Sequence, residues 1–362
     1  MFRSGLTTLS GLTTVSGGGD AVPDRLAPER YEPDWIPAPL RRHSARPDTL
    51  PVGSPGKVGV LELEFERVGE RTELVGHFQK APLHITRPHY YDPALPGMPY
   101  VMVMMSGGGV LQGDRYRLDV SCGAGAAVHL TTQSATRLYR MEHDYATQLV
   151  SLDVGPGGYL EYLPDPTIAF GGSRYYQRTA VTLAPDATVV LGETMMAGRL
   201  ARGERHAYTA YCTDVEVRES GGELVFADPL RLVPGDGAVN GPAVASGFGV
   251  LCTLYVVTAT RPAQLLADTL HTTLNAALHD TRHDTGRDTG RDTGRDTGRD
   301  TGRDALAGAG LLAGAGVLPG GRGAWARLFG DRSPEVLAAF HTTWDAIRRT
   351  LLNAPAPSPR KL

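Results

Sequence analysis

"SGGGVLQGDRYRLDV" occupies Ser106–Val120, and its reading decides the fold. Gly108 and Gly113 have the spacing of a phosphate loop, G-x-x-x-x-G. Such a loop needs a lysine next and then a helix, so that backbone N–H groups and the ammonium face the phosphates. Here Asp114 follows, which would repel phosphate, and "RYRLDV" puts Tyr116, Leu118 and Val120 on one face of a strand. The dinucleotide pattern G-x-G-x-x-G fails too, because Gln112 stands where its third glycine belongs. The stretch reads as a strand end, a tight bend at Gly107–Gly109 and re-entry into a sheet. Glycine serves there both by permitting unusual φ and by letting another backbone approach.

The same texture extends outward. "KVGVLELEFERV" (57–68) places Val60, Glu62, Glu64 and Glu66 on one side and Leu61, Leu63 and Phe65 on the other. "AAVHLTTQ", "TQLVSLDV", "GYLEYLP", "RTAVTL", "TVVLGET", "DVEVRE" and "ELVFADPLRL" continue it, punctuated by "GAGA", "GPGG", "APDA" and "ESGG". Many short strands with regular turns predict a mainly β fold, and no alternation of strands with long helices occurs before residue 260, which excludes Rossmann and P-loop architectures. After Thr260 the period changes. Leu266, Leu270, Leu274 and Leu278 form a helical stripe, with Thr260 as cap and Pro262 in the first turn. A second helix is predicted from Ser333, with Val336, Phe340, Trp344, Ile347 and Leu351 on its apolar face.

Between the helices, five identical copies of DTGR (284–303) alternate charge and hold no apolar residue, so they read as a solvated loop grown by duplication. The resulting organisation is a disordered extension (1–55), a β body (56–260), a helix (261–279), a disordered repeat and Gly/Ala-rich insertion (280–323), a C-terminal helical segment (324–352) and a tail (353–362).

Composition narrows the function. Lys+Arg number 36 against Asp+Glu 39, a formal charge of -3, which argues against a general nucleic-acid binder. Three cysteines without C-x-x-C give neither a disulfide framework nor a Cys-rich zinc site, and point to a reducing cytoplasm. No secretory leader or membrane span is read from the sequence. G-x-S-x-G and H-E-x-x-H are absent, and His84, His89, His129 and His206 read as hydrogen-bonded or surface histidines. Three carboxylates interrupt apolar strands: Glu161 and Asp165 in "LEYLPDPTIAF", and Glu193 in "LGETMM". Each needs a partner, with an arginine such as Arg174 or Arg199 as the plain solution and a metal as the functional one. A carbohydrate-active enzyme would pair Glu161 with Asp165 across a cleft. A purely structural β protein is the third reading.

Taken together, "GGVLQGDRYRLDVSCGAGAAVHLTTQSATRLYRM", "YATQLVSLDVGPGGYLEYLPDPTIAF", "LGETMMAGRLARGE" and "GAWARLFG" resemble the UreD (UreH) urease accessory proteins, from about Lys57 to the C-terminus outside the repeats. Gly108, Gly109, Gly113 and Asp114 match the first motif; Thr131, Thr132 and Gln133 match the second, with Tyr139 at its usual offset. Glu161, Pro164 and Asp165 match the third, and Glu193, Gly198 and Arg199 the fourth. Ser106, Gly107, Ala169 and Ala197 depart from the family's usual residues at turns. The resemblance implies a β-helix-like body with C-terminal helices and no catalysis. It implies a scaffold that binds UreF, through it the GTPase UreG, and apo-urease. It also implies nickel in transit rather than a tightly bound cofactor. The expected transient nickel path is Glu161, Asp165 and Glu193, with Asp114 as a fourth candidate. The expected partner-binding face is Val336, Phe340, Trp344 and Ile347.

Overall fold

A computed structural model describes residues 24–43, 56–285 and 310–357, apart from positions 238, 240, 242, 243 and 246. Two short helices, α1 (Pro28–Tyr31) and α2 (Ala38–Arg41), come first. The strands are β1 (Val58–Val68), β2 (Arg71–Lys80), β3 (Leu83–His84), β4 (Tyr100–Met105), β5 (Arg115–Cys122), β6 (Ala127–Thr132), β7 (Thr136–Leu138), β8 (Ala146–Val154) and β9 (Tyr159–Tyr162). They continue as β10 (Thr167–Ala169), β11 (Arg174–Leu183), β12 (Thr188–Met196), β13 (Ala210–Glu219), β14 (Leu224–Leu232) and β15 (Val250–Thr258). Helix α3 (Ala263–Thr285), the hairpin β16 (Leu311–Val317) and β17 (Gly323–Gly330), and helix α4 (Ser333–Leu352) complete the chain.

The strands coil between two sheets. One has seven strands, in the order β14-β13-β11-β8-β5-β1-β2; the other has ten, with the path β16-β17-β15-β12-β9-β6-β4-β3 and β7 and β10 beside it. Parallel neighbours come from successive coils: β5, β8 and β11 in one sheet, β6, β9 and β12 in the other. This is the β-solenoid-like body with C-terminal helices that the sequence predicts. Its corners are the turns read as punctuation. "GAGA", "GPGG" and "APDA" stack, with Gly155 N donating to Cys122 O, Ala184 N to Val154 O, and Gly157 N to Asp186 Oδ1. Gly125 and Gly157 take φ of 64° and 63°, where a side chain would be strained.

Alternation sets the layers. Leu61, Leu63 and Phe65 of β1 and Tyr116, Leu118 and Val120 of β5 face the other sheet and join the main core. The far side of the ten-stranded sheet is covered by α3 and α4, whose Leu266, Leu270, Leu274, Val336, Trp344 and Ile347 form a second core with Val256, Ala326 and Leu328. The molecule is thus sheet on sheet on helices. No helix among the described residues is long and apolar enough to cross a membrane.

Four expectations about organisation change. Residues 24–43, read within a disordered extension, lie as a strap on the outer face of the seven-stranded sheet, with Tyr31 and Leu40 buried there. Residues 311–317, read as part of a disordered insertion, form β16, because β17 supplies backbone partners that Gly and Ala do not hinder. "GAWARLFG", read within a helical segment, is β17; its Ala324, Ala326 and Leu328 face the helices while Trp325 packs toward the other sheet, a period of two. Helix α3 starts at Ala263, so that Pro262 rather than Thr260 stands directly before it, and runs past 279 to Thr285. The expectations for 1–23, 44–55 and 286–309 lie outside the described residues.

Candidate functional site

The glycine bend that opened the question frames a cavity. Gly107, Gly108, Gly109, Met104, Thr132 and Gln133 belong to the lining of a space of about 70 Å³. A side chain at Gly109 (φ 151°) would collide with the Arg137 carbonyl and lie 2.8 Å from Tyr139. Tyr139 Oη donates to Gly108 O at 3.1 Å and holds the bend. The Gly108–Gly109, Thr131–Gln133 and Tyr139 motifs therefore meet at one place, although they lie on separate coils.

Thr132, Thr136 and Gln148 line this cavity and also a second of about 20 Å³. Asp165, Glu193, Gln177, Tyr162 and Tyr211 line the second space. It has room for about one water, and its walls are polar. Two of the predicted strand carboxylates, Asp165 and Glu193, thus line one polar cavity, and that cavity shares three wall residues with the one at the glycine bend.

Glu193 is half-buried in the wall of this cavity. Gln177 Nε2 donates to its Oε1 at 3.2 Å. Burial, and then repulsion from Asp228, push its carboxyl up to about 7; Arg327 opposes this, but its guanidinium is already engaged by Asp228. A carboxyl raised in the folded state costs nothing at low pH. Its penalty grows as pH rises from the ordinary value of 4.5 and is complete above about 7. Glu193→Gln is therefore expected to leave the melting temperature unchanged near pH 4.5 and to raise stability at pH 8, on the order of 1–2 kcal/mol. Thermal melts across that range check it, and a flat difference between the two proteins would contradict it.

Glu161 lines neither cavity. It is fully buried under α4, with Tyr159 Oη donating at 2.7 Å, Trp344 Nε1 at 3.1 Å and His129 Nδ1 at 2.6 Å, and with the Arg348 guanidinium as an ion-pair partner at 3.2 Å. Burial alone would raise its pKa; hydrogen bonding and charge from His129, together with the charge of Arg348, more than offset this and hold the carboxyl below its ordinary value. Sealed this way it can neither pass an ion nor face Asp165 across a cleft, so the expected nickel role and the glycosidase pairing both lose it. Its cation is Arg348, not Arg174 or Arg199. Arg348 also binds Asp92 at 2.8 Å and the Pro355 carbonyl at 3.0 Å. The sequence held one signal: an arginine directly beside the apolar stripe of a buried helix.

Asp114 is likewise committed. Its carboxylate accepts Lys57 N at 2.9 Å, Leu111 N at 2.8 Å and Tyr116 Oη at 2.6 Å, with no exposed surface. It builds the bend, the simpler of its roles, and leaves the ion path. The expected docking face also changes. Val336, Trp344 and Ile347 are buried in the second core, and Phe340 packs over Gly192 beside Leu163, so this face holds the helix to its own sheet. Among the described residues no three His, Cys, Asp or Glu side chains converge as a metal cage.

Coils and helix brace define a β-solenoid-like body with small polar cavities in it. A profile of the UreD urease accessory protein family matches residues 57–361. A "Urease accessory protein UreD 2" of Streptomyces griseus is 49% identical over 317 residues, covering 87% of this chain and 97% of the relative. The "Urease accessory protein UreD" of Haloarcula marismortui is 39% identical over 310 residues (86% and 92%), and that of Cenarchaeum symbiosum 34% over 312 (86% and 99%). The chain belongs to the UreD urease accessory protein family.

Proposed function

We propose that this chain is a non-catalytic scaffold for urease maturation in the cytoplasm. It binds UreF, and through UreF the GTPase UreG, docks on apo-urease, and lets nickel pass along the space between its sheets. Family membership supports the maturation role. The observation that supports the transit role is a pair of polar cavities with Thr132, Thr136 and Gln148 in common, one beside the glycine bend and the other beside Asp165 and Glu193. Carboxylates, hydroxyls and water are ligands from which a divalent ion escapes, whereas a closed cage would retain it.

The transit reading predicts a specific phenotype. Asp165→Asn with Glu193→Gln should lower the nickel content of urease several-fold while the complex with UreF and apo-urease still forms on co-purification. The isolated chain should bind nickel only weakly by calorimetry. A double variant that assembles and loads urease at the wild-type rate would leave a scaffold role only and remove the passage from it.

A further inference from the structure

Four strands end the main paths of the two sheets: β2 and β14 in one, β3 and β16 in the other, with the three-residue β7 closing a side branch. An edge strand presents unpaired N–H and C=O groups, and proteins guard such edges with charge, proline, bulges or short length. Three of the four are guarded. Strand β2 carries Arg71, Glu73, His77 and Lys80, β14 carries Asp228, Pro229 and Arg231, and β3 has two residues. Strand β16 is LLAGAGV, with no charge and no proline, and its register with β17 has no bulge. Among the described residues β17 is its one strand partner.

The outward groups can be assigned. Leu318 N donates to Gly323 O at 2.9 Å across the hairpin, and these residues are opposite in register. In an antiparallel pair, hydrogen-bonded and non-bonded positions alternate. Gly316, Gly314 and Leu312 therefore bond toward β17, while Val317, Ala315, Ala313 and Leu311 turn their N–H and C=O outward.

We propose that β16 pairs antiparallel with β16 of a second copy of this chain, about a two-fold axis at Gly314, joining two ten-stranded sheets. The sequence is self-complementary about that residue. Ala313 falls opposite Ala315 of the other copy and Leu311 opposite Val317, both as hydrogen-bonded pairs through the outward groups. Gly314 meets its own copy at a non-bonded position, where side chains come closest. Leu312, 38% exposed, lies across from Gly316, whose missing Cβ would stand 3.2 Å from the Trp325 indole nitrogen. A large apolar side chain thus covers a glycine backed by an aromatic ring, twice, as an isologous contact requires.

Sedimentation equilibrium of the full chain tests this, with a dimer mass expected for wild type at micromolar concentration. Nothing lies within 4 Å of a Cβ at Gly314, so substitution there is tolerated. Gly314→Lys and Gly314→Glu should each be monomeric, because like charges meet on the axis. An equimolar mixture of the two should regain the dimer mass. Ala315→Pro, which removes one outward N–H, should also be monomeric. A wild-type chain that sediments as a monomer overturns the proposal whatever the variants do. So does a dimer that survives both charge substitutions, which would place the contact elsewhere.

Discussion

Arg348→Met is expected to lower stability by about 3–5 kcal/mol, the cost of stranding buried carboxylates without their cation. Arg348 is 1% exposed and bridges Asp92 and Glu161, which lie on different parts of the β body. The helix that carries it buries Val336, Trp344 and Ile347 on the same sheet, so the charge cluster and the apolar seam fix one orientation of α4. Glu161→Gln should cost less, because the amide oxygen still accepts from Tyr159 and Trp344. Arg348→Lys should behave more like the methionine variant, since an ammonium cannot reach both carboxylates with a planar fork. The double change Glu161→Met with Arg348→Met should lose less than the sum of the singles. Denaturant midpoints for wild type, Glu161→Met, Arg348→Met and the double variant read this coupling. Additive losses, or singles below about 1 kcal/mol, would show that the cluster is not a lock. Acid should loosen it as well: Glu161 is held below its ordinary value of 4.5, so its contribution is present above that pH and fades as pH falls through the lower folded value.

That cluster also shows where sequence reading stops. The coils were legible because burial on one face of a strand imposes a period of two, and each corner needs Gly, Pro or Asp. "LELEF", "RYRLDV" and the turns "GAGA", "GPGG" and "APDA" therefore announce themselves. Strand β17 carries the same alternation in Ala324, Trp325, Ala326, Arg327 and Leu328, but its small apolar residues and the helix that follows hide it. Strand β16 has almost no side-chain pattern to read; its hydrogen-bonding partner defines it. At the site, a carboxylate among apolar neighbours signals that it needs a partner. Which partner each has was not legible, because Glu161 meets Trp344 from 183 residues away and Glu193 meets Gln177 of the other sheet. The two outcomes are opposite, a sealed ion cluster and a group in a polar cavity, and the local sequences are alike.

Deleting residues 1–43 is expected to destabilise the body by about 3–6 kcal/mol, from the apolar burial and the ion pair it removes. The strap lies wholly before the stretch matched by the family profile, which starts at residue 57, yet it is tied to the family's own strands. Leu40 is fully buried among Tyr145, Tyr176, Ala210 and Cys212, and Tyr31 covers Val58 and Val60. Glu32 accepts from Arg115 Nε at 3.1 Å, Arg25 O accepts from Arg117 at 2.9 Å, and Arg25 pairs with Glu62 at 2.7 Å. Trp35 stands edge-on to Tyr176 at 6.2 Å. Buried Arg115 would keep Asp144 and the Tyr145 carbonyl after deletion, so the loss should fall mainly on the apolar contacts. A single substitution separates the two contributions. Leu40→Ala should cost about 2–4 kcal/mol, most of the deletion's effect, whereas Glu32→Gln should cost under about 1 kcal/mol because Glu32 is partly exposed. Hydrogen exchange on β5 and β11 gives an independent reading: protection should fall in the Leu40→Ala protein and stay unchanged in Glu32→Gln. If the deletion variant melts with the full chain, the strap rests on the sheet without holding it, and the outer face of the coil is stable bare.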